Sequence, residues 1–399
     1  MPMSSQFFPR AIYPEVKKHL SAKQITVITG MRRVGKTTLI KQLLSEITST
    51  NKVYLDLQQI NNRELFASKN FDDVLMHLKQ AGLRATEKMY VALDEIQLYP
   101  EISGVMKYLY DTYDIKFIVT GSSSYYLKNL FSESLAGRKR IFELFPLNFG
   151  EYLTFRQVAW LQNNIDFAKM KFSAHEYERL RAYYAEYIEF GGFPEVTLMN
   201  GIDDKKSMLN DIISSYVNID IKSLADFRDS GSIYNLIKML AARVGTRLDN
   251  SKLSRLTGLS RITVANYVSL FEKTYLISLV QVHTHNVDRE IVKAKKIYFA
   301  DNGLVNILAE VGSGTKFENS IFNQLRQRGD VRYYALKNGQ EIDFVLDRRI
   351  ALETKETPTI DDETTLLALS KMAGIKEFRI IGRHAAPKYR NYIWGGDIK

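Results

Sequence analysis

The sequence predicts an α/β protein: a doubly wound parallel sheet first, then helical pieces, then a smaller α/β unit. Three observations carry this. Through residues 1–150, β-branched apolar runs alternate with stretches whose apolar residues recur at helical spacing. The first run, residues 24–29 (QITVIT), passes through a glycine-rich loop into a helical stretch at 38–47 (TLIKQLLSEI). The third run, residues 88–93 (KMYVAL), ends in Asp94-Glu95.

The loop reads Gly30-Met31-Arg32-Arg33-Val34-Gly35-Lys36-Thr37-Thr38, the G-x-x-x-x-G-K-T pattern of a phosphate-binding loop. Set between a strand and a helix, its backbone N–H groups and the positive end of the helix dipole hold phosphate oxygens. Gly30 and Gly35 let the backbone curl around the phosphates with no Cβ in the way. Arg33 and Thr38 belong to the same cradle. Lys36 reaches the β- and γ-phosphates, and the Thr37 hydroxyl binds Mg²⁺. Asp94 then holds the same Mg²⁺, directly or through water, and Glu95 orients or activates the attacking water. Water activation favours hydrolysis over transfer to a small-molecule substrate. The competing reading of Asp94-Glu95 is a helix cap with its first-turn acid. The expected cofactors are ATP and Mg²⁺.

A chain of 399 residues suggests about two to four domains. The 45% hydrophobic content allows a sizeable core. A formal net charge of +10 fits a polyanionic partner, DNA above all, against the alternative of a merely soluble basic protein. The absence of cysteine excludes disulfides, cysteine zinc sites and thiol catalysis. Residues 1–20 lack the apolar core of a signal peptide, and no run approaches the ~20 apolar residues of a membrane span. The expectation is a cytoplasmic protein with no membrane partner.

In chain order, residues 13–20 read as a short helix, 52–57 (KVYLDL) as a second strand, 71–81 as a helix and 115–120 (IKFIVT) as a fourth strand. Gly121-Ser122-Ser123-Ser124 follows that strand, where polar side chains point into the ligand crevice of open α/β sheets. Ser122 or Thr120 can sense the γ-phosphate or position the water; a serine helix cap is the alternative. Residues 140–145 (RIFELF) read as a fifth strand. Just before it stands Arg138, from where a neighbouring subunit's γ-phosphate is within reach, so Arg138 is a candidate arginine finger. That role implies a homo-oligomer when ATP is bound; a solvated basic cluster with Lys139 and Arg140 is the alternative.

From residue 151 to 227 the pattern is helical, with an aromatic stripe over 175–190 that reads as core, and Gly191-Gly192-Phe193-Pro194 breaks it. We read this stretch as a helical lid. Residues 228–312 read as a winged helix-turn-helix. Within it, a helix at 251–257, a turn at Gly258-Leu259-Ser260 with Ser260 as N-cap, and a helix at Arg261–Lys273 precede two strand-like stretches, 276–283 and 296–300. Arg261, Thr263 and Asn266 lie on its exposed side and can meet DNA, unless the unit only packs domains together. The last unit, 313–399, has a helix at 317–327 bearing Glu318, then a hairpin of Glu341–Leu346 and Ile350–Lys355. Alternation puts Glu353 and Lys355 on one strand face. Glu318, Asp343 and Glu353 can then hold Mg²⁺ while Lys355 polarises water for phosphodiester cleavage, against the alternative of a solvated charged hairpin.

Taken together, the stretches TGMRRVGKTT, ALDEIQ, TGSSS, ESLAGR, FGGFPEV, LTGLSRITVANY, IYFADNGL, FEN, EIDFVL and ETK resemble, in the same order, AAA+ ATPases of the archaeal-ATPase type. Those proteins carry a C-terminal domain similar to the PD-(D/E)xK nuclease fold. The resemblance implies ATP and Mg²⁺ binding, a lid, a winged helix, and a nuclease-like fold more firmly than nuclease activity. One departure is Thr354, where nuclease versions place an apolar residue between the glutamate and the lysine.

Overall fold

A computed structural model describes residues 7–122, 135, 137–160, 166, 167, 169–221, 230–284, 286, 290, 293–386, 388, 389 and 391–399. Ser123, Ser124 and, of the 133–138 stretch, Glu133, Ser134 and Ala136 lie outside them. The chain divides into two compact units, Met1–Phe145 with Lys273–Tyr275, and Pro146–Glu272 with Leu276–Lys399. The sequence boundaries expected at 151, 228 and 313 all fall inside the second unit.

The first unit is built on five strands: β1 (Ile25–Thr29), β2 (Lys52–Asp56), β3 (Met89–Asp94), β4 (Ile115–Gly121) and β5 (Lys139–Glu143). They pair in the order β2-β3-β4-β1-β5, every pair parallel. The burial pattern follows from that order. β1 and β4 are central and buried at every residue, so they read as unbroken apolar runs. β2 and β5 are edges and are only part buried. Each expected strand of this sheet is present, with ends shifted by one or two residues.

Lys116 is the charged residue inside the buried β4. Its buried ammonium donates to the carbonyls of His19 (2.9 Å), Ala22 (2.8 Å) and Gln24, closing the turn between the Tyr13–His19 helix and β1. Burial, with Lys88 adding repulsion, pulls its pKa down to about 7. All three donors of the ammonium are thus used to anchor the entry into the strand that carries the phosphate loop.

The second unit joins helices to a mixed sheet. β8 (Val331–Ala335), β9 (Glu341–Leu346), β10 (Ile350–Lys355), β11 (Glu377–Gly382) and β12 (Tyr392–Trp394) pair in the order β12-β11-β10-β9-β8. β9 pairs antiparallel with both β8 and β10; β10, β11 and β12 are parallel. The hairpin has the strand limits its alternation predicts, and Asp347 and Arg348 turn it with positive φ. A separate antiparallel pair is formed by β6 (Ile277–Val280) and β7 (Lys296–Phe299).

The aromatic stripe of the Ala174–Phe190 helix is core, as its spacing suggests. Tyr184 meets Phe149, Phe317 and Trp394, so three helices and β12 share one aromatic cluster. The helix ends at Gly191, φ 75°, where an added Cβ would stand 2.0 Å from Asp301 Oδ1. Asp301 accepts from the Gly192 N–H (2.6 Å) and caps the Asn302–Leu308 helix through the Gly303 N–H (2.8 Å). The FGGFPEV and IYFADNGL stretches are therefore two halves of one contact, and Gly191 is glycine because the carboxylate lies where a side chain would begin.

Candidate nucleotide site

The phosphate loop leaves β1 and enters the Lys36–Glu46 helix through Gly35, whose φ of 98° suits glycine. No side chain caps this helix and its first turn carries no acid, which suits its N-terminal N–H groups to an anion. Gly30, φ 150°, packs so closely on the Leu144 carbonyl that a Cβ would stand 2.0 Å from it. Arg10, which the motif reading missed, clamps the loop from outside it. Its guanidinium donates to the carbonyls of Val34 (2.7 Å) and Phe145 (2.6 Å). Lys36 Nζ donates to the Gly30 and Met31 carbonyls, both at 3.0 Å, and so lies over the cradle. Arg33, in the left-handed region at φ 68°, and Thr38 are exposed on the same loop and helix start.

The C-terminal ends of β3 and β4 supply the remaining groups. Asp94 is buried and accepts from three hydroxyls: Thr37 (2.7 Å), Tyr54 (2.7 Å) and Thr120. Burial, then the bond to Asp94, raises the Tyr54 phenol well above its ordinary pKa, so it remains a donor. Glu95 sits in the left-handed region, φ 56°, with its N–H on Thr120 Oγ1 at 3.1 Å. Thr120 thus fixes both members of the acidic pair. Gln97 Nε2 donates to the Glu95 carboxylate and to Ser122 Oγ (3.0 Å), which links Ser122 to the pair through an amide. Thr37 and Asp94 form an all-oxygen set of the kind a hard cation takes, so the residues present fit Mg²⁺. Tyr54 and Gln97 were not legible as site residues, because their positions depend on the pairing of strands far apart in sequence.

Arg138 does not join this group. It lies at the N-terminal edge of the sheet, where its carbonyl accepts from the Ile25 N–H. The phosphate loop is at the other end of β1, a five-residue strand of roughly 16 Å. Its guanidinium holds Asp111 with two bonds, 2.8 and 3.1 Å.

In the second unit, Glu318, Asp343 and Glu353 approach one another, yet a lysine stands among them. Lys296 of β7, 1% exposed, has Nζ 2.7 Å from Glu341 Oε1, 3.5 Å from Glu318 Oε1 and 3.8 Å from Asp343 Oδ1. Lys355 pairs with Glu353 at 2.9 Å, as its shared strand face predicts. Burial, then repulsion from Asp343, pushes Glu318 up to about 7 and Glu353 up to about 8. The expected Glu318–Asp343–Glu353 metal site thus has Lys296 among its acids, and among the described residues no group of three or more His, Cys, Asp or Glu side chains is arranged to hold a metal ion. An ammonium, which repels a second cation, stands among these carboxylates, unlike Asp94, whose partners are neutral hydroxyls.

The Asn250–Thr257 and Arg261–Lys273 helices flank the expected turn, and Ser260 Oγ accepts from the Thr263 N–H at 3.0 Å. Arg261 and Asn266 are exposed; Thr263 is half-buried, with its hydroxyl on Ser260 at 2.8 Å. An open groove of about 760 Å³ is lined by Arg247, Arg261 and Lys295, together with Asp249 and Glu272.

Comparison with known proteins agrees with the first unit's geometry. Residues 22–153 match the AAA domain family. This AAA domain match spans all five parallel strands and both acidic residues, and residues 181–315 match a domain of unknown function. An uncharacterized protein of Methanocaldococcus jannaschii is 28% identical over 84% of this chain and 75% of its own length. Another, from Haemophilus influenzae, is 25% identical over 80% and 79%. Among solved structures, Thermotoga maritima RuvB is 14% identical over 67% of this chain and 88% of that one, with a TM-score of 0.32, too loose to carry an argument. Among the described residues no helix is long and apolar enough to cross a membrane.

Proposed function

We propose that this protein is a Mg²⁺-dependent ATP hydrolase of the AAA+ class that acts on or near nucleic acid. One observation carries the reading: Thr37 of the phosphate loop, Asp94 and Thr120 are hydrogen-bonded together, with Glu95 held beside them. Lys36 binds the β- and γ-phosphates, exchanging carbonyl partners for charged oxygens. Thr37 and Asp94 would hold Mg²⁺, which when bound offsets charge on the phosphates. Glu95 orients the water and receives its proton. Ser122, through Gln97, fixes the Glu95 carboxylate. Arg138, once released from Asp111, serves a neighbouring subunit of an ATP-bound homo-oligomer. Arg138→Ala is then expected to lose turnover while keeping ATP affinity. A chain whose mass in sedimentation stays that of a monomer with ATP, and which still hydrolyses it, would contradict that role.

The nucleic-acid part rests on charge. Arg243, Arg247, Lys252, Arg255 and Arg261 stand against only Asp249 and Glu272 in 243–272, and Arg261 and Lys295 border the groove. We read 151–227 as a lid, 228–312 as a winged helix with Arg261 and Asn266 toward DNA, and 313–399 as a nuclease-like fold. For that last part, Lys296 among the carboxylates favours a non-cutting switch that only binds DNA or a protein partner. Phosphate release from ATP, measured alone and with duplex DNA, single-stranded DNA or RNA, tests the reading. A nucleic acid is expected to raise the rate several-fold. Slow turnover that none of them changes would favour a nucleotide switch acting on a protein.

A further inference from the structure

The carboxylates of the second unit pose a question of charge. Glu318 comes from the Ser313–Leu325 helix, Glu341 and Asp343 from β9, Glu353 from β10. Several acids gathered in a buried place repel one another unless a cation or protons intervene. The family resemblance suggests a divalent ion. The residues present do not fit one, because the oxygens that would face it are already used. Lys296 Nζ lies within 4 Å of Glu341, Glu318 and Asp343. Tyr298, two residues along β7 and so on the same strand face, donates to Glu318 Oε1 at 2.6 Å. Arg247 takes the second Glu341 oxygen at 3.1 Å. Glu353 is held by Lys355 and by the Asp343 N–H.

A second, independent feature points the same way. Thr354 departs from the nuclease pattern, and its hydroxyl donates to Asp343 Oδ2 at 2.6 Å, beside its own N–H at 2.9 Å. The threonine at this position thus places a hydroxyl donor on the central aspartate. A dication needs about six oxygens at ~2.1 Å for Mg²⁺, and it would be repelled by an ammonium already in their midst.

We propose that Lys296 is a tethered cation standing where a divalent metal would, so that the carboxylate cluster binds no metal in the native chain and takes one once that lysine is removed. The proposal bears on the second unit alone; it deepens the non-cutting reading and is independent of ATP hydrolysis. Removing the lysine leaves buried carboxylates without their counter-charge, which destabilises the fold until another cation enters.

The test uses the full chain without nucleotide and Mn²⁺ as the probe. Four proteins are compared: wild type, Asp343→Asn, Lys296→Ala and the double variant. Mn²⁺ binding is read by electron paramagnetic resonance and unfolding by circular dichroism. Lys296→Ala is expected to unfold at lower temperature than wild type and to regain about 4 °C or more in millimolar Mn²⁺. It gains one bound Mn²⁺ at least ~10-fold tighter than any in wild type, and Asp343→Asn added to it removes that site. A wild-type Mn²⁺ site that Asp343→Asn abolishes would overturn the proposal. So would a Lys296→Ala protein that neither binds Mn²⁺ nor is stabilised by it. The readouts are metal occupancy and melting, which do not depend on ATP hydrolysis, and Mn²⁺ held at Thr37 and Asp94 is told apart because Asp343→Asn leaves it in place.

Discussion

Glu95→Gln is expected to bind ATP as tightly as wild type and to hydrolyse it ~10²–10⁴-fold more slowly, the range a positioned general base contributes. The reason lies in how Glu95 is held. Its backbone occupies the left-handed region, which costs a non-glycine residue roughly 1–2 kcal/mol. Thr120 Oγ1 holds the N–H and Gln97 the carboxylate, so the conformation is imposed by neighbours on β4 and the turn after β3. Strain held in this way at the end of a strand is the mark of a placed group. Glutamine keeps the shape but has no basic oxygen to take the proton from water. Phosphate release gives the rate and a fluorescent ATP analogue gives the affinity. Turnover within a few-fold of wild type would remove Glu95 from the chemistry.

Lys36→Ala is expected to weaken ATP binding by about 2–3 kcal/mol, roughly 30- to 150-fold in Kd, through loss of a charge-assisted contact to the phosphates. Lys36 also spans the loop through the Gly30 and Met31 carbonyls. Part of the loss is therefore order in the loop itself. Lys36→Met, which keeps the aliphatic stem but no donor, is expected to bind as weakly as Lys36→Ala. An unchanged Kd by calorimetry in either variant would show that the cradle binds nucleotide without the lysine.

The two variants separate the parts of the site that were legible in the sequence. Gly30, Gly35, Lys36, Thr37, Asp94 and Glu95 could be read because each is fixed by its own short stretch: a strand, a turn with required φ values, and a helix start. The β9–β10 hairpin was legible for a similar reason, since period-two alternation and a three-residue turn specify its register locally. Arg10, Tyr54 and Gln97 carry no such signature. They matter because β3 pairs with β2 on one side and β4 on the other, and because the segment before β1 folds back on the loop, and none of these arrangements has a local pattern. Lys116 and Lys296 were the least visible. Each is a lysine in an apolar strand, and each is buried because its partners come from elsewhere in the chain: three carbonyls for Lys116, carboxylates of two later elements for Lys296. Reading Glu318, Asp343 and Glu353 as metal ligands counted the acids correctly and missed the cation supplied by β7.

Whether Lys36, Thr37, Asp94 and Glu95 form a site that hydrolyses ATP is decided by phosphate release from ATP by the purified chain. Release is measured in Mg²⁺ and in excess chelator, beside Glu95→Gln prepared in the same way. The expected result is release in Mg²⁺, none in chelator, and none above background from Glu95→Gln although that variant retains ATP. Two results would contradict the assignment: release that persists undiminished in Glu95→Gln, or a wild-type chain that binds ATP and Mg²⁺, with and without nucleic acid, and never releases phosphate.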